Sequence, residues 1–168
     1  MQAALLPERG VVKVAGDDAG HFLNGIATND IGKVTPGHGR FAALLTPQGK
    51  IVVDFIVIEA GQQDGGGFLL DCPKALAAAL VDKLTFYRLR AKITIEDRSE
   101  ALGVLAIWGD NATKAETGHG LCTADPRLPA LGMRYIVPPD QAAKTAADLG
   151  ATLTNAEAYD AHRIALGV

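Results

Sequence analysis

One carboxylate interrupts the most apolar run of this chain. Asp54 lies inside I-V-V-D-F-I-V-I, residues 51–58. If its side chain faces the interior, ionisation is costly unless donors meet it, and such a carboxylate can bind a polar ligand. If the strand lies at a sheet edge, the same side chain points to water. The pattern alone leaves both open. Arg88, Arg90 and Arg163 are candidates to hold carboxylates, although single arginines more often make surface pairs. Tyr159 offers a flat face on which a ring can stack, against the commoner use of such a tyrosine in core packing.

The remaining reactive residue types form no recognisable machinery. His119 and Cys122 have the spacing of a metal pair, but zinc needs three or four ligands and no second pair follows. No metal site is assigned. His21 and His38 read as surface residues, and His162 as a surface or satisfied one. G-x-S-x-G is absent, so serine hydrolase chemistry has no support. G-x-G-x-x-G and the P-loop spacing are also missing, and the Gly65–Gly67 run reads as a hairpin tip or loop. Cys72 and Cys122 form no C-x-x-C pair and read as buried or free thiols in a reducing compartment.

These residues need elements to position them. Residues 11–15 read as a strand. Residues 16–30, G-D-D-A-G-H-F-L-N-G-I-A-T-N-D, then start a helix, with Asp17 or Asp18 placed to accept from first-turn amides. Ala19, Phe22, Leu23 and Ile26 make its apolar face, its tail carries the polar cluster Asn24, Thr28, Asn29 and Asp30, and Asn29 and Asp30 suit a helix exit or turn. Residues 41–45 and 51–59 are strands joined by T-P-Q-G-K, a hairpin. After the glycine-rich residues 61–67 a strand resumes at 68–71. Pro73 suits a first helical position, with a helix to Tyr87, and residues 89–96 read as a half-buried strand.

The second half echoes the first. V-L-A-I-W-G-D-N-A, residues 104–112, resembles V-V-K-V-A-G-D-D-A, residues 11–19, which is modest evidence for duplication. A strand at 131–137, a helix at 139–149 and a last helix at 155–166, capped by Asn155, follow. Mixed strands and helices with a hairpin predict an α+β fold with two related halves, about 1–98 and 99–168.

Bulk composition bounds the function. The chain has 168 residues, 48% hydrophobic and 21% charged, with net charge −3, as an ordinary globular domain does. An acidic balance argues against tight binding to a nucleic-acid backbone. No run approaches the ~18 apolar residues that span a bilayer. The opening M-Q-A-A-L-L-P-E-R-G has no basic flank before its apolar stretch, so a signal peptide is not expected and cytoplasm is the default. The close at H-R-I-A-L-G-V reads as a cut, which makes residues 1–168 the N-terminal part of a longer protein.

Five ordered motifs carry a family resemblance. They are G-D-D-A-x-x-F-L-N-G-x-x-T-N-D, L-T-P-Q-G-K-I-V-V-D-F, F-Y-R-L-R-A-K-I-T-I-E-D, D-P-R-L-P-A-L-G-M-R and R-I-A-L-G-V. The set resembles the YgfZ family of tetrahydrofolate-binding proteins, related to the glycine-cleavage T-protein, an aminomethyltransferase. Nearly the whole chain is covered. The resemblance implies a duplicated α+β folate-binding domain of the aminomethyltransferase type. It also implies a role in assembling or repairing iron–sulfur clusters, including those of enzymes that modify transfer RNA.

The resemblance also implies site residues. Tyr159 matches the aromatic on the helix that ends in R-I-x-x-G. Arg9 stands where the family has another aromatic, and its guanidinium can stack on a ring. The T-protein's acidic pair is reduced to Asp54, because the neighbouring position is Val53, and aminomethyl transfer is therefore not expected. Neither Cys72 nor Cys122 matches the reactive cysteine of the family's K-G-C-Y-x-G-Q-E, so no catalytic residue is assigned. Tetrahydrofolate is expected with its pterin near Tyr159 and Asp54 on pterin or linker nitrogens. Arg9 or Arg163 would meet the glutamate tail. Expected partners are the folate and iron–sulfur enzymes or assembly factors, with no direct nucleic acid, no membrane, and a monomeric state. The rival readings are a folate-dependent aminomethyltransferase and a protein-interaction module with a vestigial folate cleft.

Overall fold

The apolar runs fold into two five-stranded sheets packed face to face, with helices on the outer side of each. The computed structural model describes residues 1–61, 65–112 and 121–168. In chain order the elements are β1 (Gln2–Leu5), β2 (Arg9–Ala15), α1 (Ala19–Ile26), β3 (Arg40–Leu45), β4 (Ile51–Glu59), β5 (Phe68–Pro73) and α2 (Ala77–Arg88). They continue with β6 (Thr94–Asp97), β7 (Gly103–Trp108), β8 (Leu121–Ala124), β9 (Met133–Val137), α3 (Ala142–Asp148), β10 (Thr152–Leu153) and α4 (Ala156–Ala165). One sheet runs β3-β4-β5-β2-β6 and the other β10-β1-β7-β9-β8. All pairs are antiparallel except β1 with β10. The α+β expectation holds.

Period-two alternation explains why the central strands are largely apolar on both faces. On β4, Val53, Phe55 and Val57 join a cluster with Phe22 and Leu23 of α1 and Leu80 and Leu84 of α2. Ile56 and Ile58 point the other way, between the sheets, where they meet Leu69, Val104, Ala106, Trp108 and Ile136. On β7 the alternate residues Leu105 and Ile107 pack outward with Ala142 and Ala146 of α3. A strand covered on both faces needs no polar residue on either. Each fully buried Leu, Ile or Phe contributes ~1.5–3 kcal/mol of transfer free energy. Residues 9–97 supply the strands of one sheet and 103–153 those of the other, which also takes β1 from the start of the chain.

Several local expectations change. Asp18 precedes α1 but makes no cap; its Oδ2 accepts from the Lys92 amide at 2.7 Å and ties the helix start to the turn before β6. The polar cluster at the end of α1 and beyond it is spent on the backbone. Asn24 Oδ1 accepts from Ile31 N at 2.9 Å, Thr28 Oγ1 from Ala43 N at 2.9 Å, and Asn29 Nδ2 donates to Phe41 O at 2.9 Å. Pro73 ends β5 rather than opening the helix, because its carbonyl-side neighbours form a 3-10 turn over Lys74–Leu76 first. The strand expected at 89–96 begins only at Thr94, since a tight turn at Arg88 to Ala91 intervenes. The two strands of the internal echo both end in a glycine with positive φ, Gly16 and Gly109. The expected loop residues 62–64, and residues 113–120 with His119, lie outside the described residues.

Candidate functional site

Buried charges bridge the two sheets. Asp71 on β5 is 0% exposed, and its Oδ1 accepts from Arg9 Nε at 2.7 Å. Its Oδ2 accepts from Arg134 Nη1, on β9 of the opposite sheet, at 2.6 Å. Arg134 Nε then donates to Asp125 Oδ2 at 3.0 Å, and Arg127 holds Asp125 through Nε at 3.0 Å and Nη2 at 2.8 Å. The Tyr159 hydroxyl accepts from both Arg127 Nη2 and Arg134 Nη2 at 3.2 Å. No buried side-chain nitrogen or oxygen among the described residues lacks a partner. Such satisfaction is what makes buried charge tolerable at all.

The network sets its own protonation states. Burial alone would raise the Asp125 carboxyl, but hydrogen bonds from Arg127 and the charge of Arg134 outweigh it and hold the group below 3.8. Burial opposes the charge of Arg134, yet Asp71, Tyr159 and Asp125 together keep its guanidinium more firmly protonated than usual. Asp125, Arg127 and Arg134 are therefore ionised at neutral pH.

Beside the network lies a cleft of about 260 Å³ at one end of the space between the sheets. Its lining includes Arg9, Asp54, Tyr159 and Arg163, the four residues singled out from the sequence, together with Glu8, Arg127, Arg134 and Asp160. Four elements deliver most of them, with Glu8 just before β2 and Arg127 between β8 and β9. β2 begins at Arg9, and β4 carries Asp54 on the side facing the other sheet, since Val53 takes the helix side. β9 presents Arg134, and α4 supplies Tyr159, Asp160 and Arg163. Asn155 caps α4 as its sequence position predicts, its Oδ1 accepting from Ala158 N at 3.0 Å.

The structure resolves the two readings of Asp54. β4 lies between β3 and β5 rather than at an edge, and Asp54 is half-buried toward the cleft. Its carboxylate has no hydrogen bond or ion pair among the described residues. The other three residues are more committed than expected. Arg9 spends Nε and Nη2 on Asp71, leaving Nη1. Arg163 spends Nε on Asp160 Oδ1 at 2.8 Å and Nη1 on Val168 O at 2.9 Å, leaving Nη2. Tyr159 is 3% exposed, packed edge-on to Trp108 with ring centroids 5.4 Å apart and with the Arg134 guanidinium 5.9 Å from its centroid. The open stacking face expected of it is thus a core contact. His162 is also satisfied, stacked on Trp108 with its Nε2 2.9 Å from Ala130 O.

Asp71, Asp125, Arg127 and Arg134 escaped the sequence reading. The signal that exposed Asp54, a charge inside an apolar strand, recurs in F-L-L-D-C and G-M-R-Y-I-V. Cys72 and Cys122 are free and buried, and burial raises both thiols, Cys72 to about 12. No helix among the described residues is long and apolar enough to cross a membrane.

Fold and site define a two-sheet α+β domain with an arginine–carboxylate cleft between its sheets. Residues 8–118 match the GCVT N-terminal domain family, and the chain belongs to it. It is 30% identical over 174 residues to the iron-sulfur cluster assembly factor IBA57 homolog, mitochondrial, of Mycosarcoma maydis, covering 98% of this chain and 43% of that protein. It is also 30% identical over 106 residues to an aminomethyltransferase of Bacillus subtilis, covering 61% of this chain and 27% of that protein. The crystal structure of glycine cleavage system aminomethyltransferase T from Bartonella henselae superposes with a TM-score of 0.74 at 17% identity, over 99% of this chain and 51% of that one. That likeness shows the fold. The chain spans less than half the length of these curated relatives.

Proposed function

We propose that this chain is a tetrahydrofolate-binding part of an iron–sulfur cluster assembly or repair factor of the YgfZ type. The observation that carries the reading is the unpartnered Asp54 carboxylate, half-buried in a cleft lined by four arginines. A group that accepts hydrogen bonds and has no protein donor suits a ligand rich in ring N–H groups. Arg9 Nη1 and Arg163 Nη2 suit the carboxylates of a glutamate tail. The polar ends of a folate thus find partners. The cleft is below the ~300–1,000 Å³ of drug-sized sites, so it holds one ring system and the rest lies outside. The similarity to an iron–sulfur cluster assembly factor supports the cluster role. On this reading the clients are iron–sulfur enzymes, including those that modify transfer RNA, and the protein acts as a monomer in the cytoplasm.

Calorimetric titration of the chain with tetrahydrofolate tests this. Saturable binding is expected, weakened about tenfold or more in Asp54→Asn, in line with loss of a charged hydrogen bond. The second reading, an interaction module with a reduced folate cleft, is favoured by the buried ring of Tyr159 and the small cleft. No heat of folate binding would select it. Aminomethyl transfer is the third, and methylenetetrahydrofolate formed from an aminomethyl donor would establish it.

A further inference from the structure

We propose that the C-terminal end of α2 is a docking surface for a protein partner presenting an apolar side chain ringed by carboxylates. Residues 83–92, K-L-T-F-Y-R-L-R-A-K, hold four of the 16 lysines and arginines and no acid, in a chain of net charge −3. Lys83, Arg88, Arg90 and Lys92 are exposed, and none makes an ion pair among the described residues. Inside this basic ring stand Phe86, 75% exposed, and Leu89, 88% exposed. Phe86 stands in the last turn of α2 and Leu89 immediately after its end, so the two are neighbours on this surface. Leu80 and Leu84 already anchor α2 to the core, so Phe86, which meets the Tyr87 ring edge-on at 5.4 Å, and Leu89 leave most of their surface in water.

The backbone supplies an independent sign. Ala91 N donates to Arg88 O at 2.9 Å and closes a turn. Leu89 is its second residue, with φ 48° and ψ −110°. That is the type II′ geometry, where glycine is the normal occupant and a Cβ is strained. A polar residue there would avoid the exposed apolar surface, and a glycine would avoid both costs. An apolar residue strained into water implies something that covers it. The cations select an acidic partner, and the Phe86–Leu89 pair supplies the desolvated anchor from which affinity comes. None of these residues lines the cleft, so the surface stands independently of the folate reading.

The test titrates the chain into a fluorescein-labelled helical peptide bearing leucines on one face and glutamates on both sides of it, read by anisotropy. Binding is expected, falling as salt rises, and about tenfold or more weaker for Phe86→Ser, for Leu89→Gly and for the pair Arg88→Glu and Arg90→Glu. Leu89→Gly is the decisive variant. It relieves the turn, so its thermal midpoint stays level or rises while binding falls, which separates docking from misfolding. The proposal fails if the peptide does not bind, if a lysine-for-glutamate counterpart binds as well, or if Leu89→Gly binds like the parent. It also fails if phosphatidylglycerol vesicles or a second copy of the chain take up Phe86 and Leu89 and the peptide does not compete.

Discussion

Arg134 meets Asp71, Asp125 and Tyr159 with one guanidinium, so a change at either carboxylate takes a partner from a buried charge. Asp71→Ala should cost about 3–5 kcal/mol in urea unfolding, because Arg9 would lose its carboxylate and the buried Arg134 one of its two. Asp54→Asn, with no partner to lose, should leave stability within about 0.5 kcal/mol. Two titrations add opposite limbs to the pH profile. Asp125 has a folded pKa below its usual 3.8, so its stabilisation is complete above 3.8 and is lost as pH falls through the folded value. Asp125→Asn should flatten that acid limb. Cys72 is raised from 9.0 to about 12 by burial, so the unfolded thiol ionises first and stability declines as pH climbs from 9.0 toward 12. Cys72→Ala should lessen that alkaline slope, with Cys122 and Tyr135, also raised by burial, carrying the rest, measured by unfolding at stepped pH. Asp71, Asp125 and Arg134 did not stand out in the sequence as Asp54 did. Asp71 and Arg134 carry the same pattern, but their importance comes from facing each other across two sheets, which no single strand records.

Elements decide whether the side chains arrive. α4 is one of the more legible pieces, since an Asn followed by a short amphipathic run announces its own start. Asn155→Ala should lower stability by ~1 kcal/mol and loosen Tyr159 from its two arginines. The step into β9 is harder to read. Gly132 has φ 87°, and a Cβ there would stand 2.0 Å from the Ile107 carbonyl oxygen. Gly132→Ala should therefore cost more than ~1 kcal/mol and shift Arg134, seen as loss of protection in amide exchange along β9. Nothing in L-G-M-R distinguishes this glycine from a plain loop residue, because the close carbonyl belongs to β7. Elsewhere propensity yielded to tertiary context. Asp18 reads as a cap, but Lys92 offered its carboxylate a better-placed amide.

At the scale of the whole molecule, two sheets with helices outside leave one inter-sheet layer, mostly apolar and ionic at one end. That arrangement makes the cleft a property of both sheets at once. The sequence by itself determined the class of fold, most strands and helices, the buried thiols and the acid inside the apolar run of β4, because these depend on period and neighbours along the chain. It also carried the family likeness, which belongs to motifs in order. Only the tertiary structure decided which charges meet, that Tyr159 is packed rather than open, and that Leu89 stands strained in water. Those outcomes depend on distances between residues far apart in the chain, and burial turns each of them from a cheap solvated group into one that must be answered by a partner.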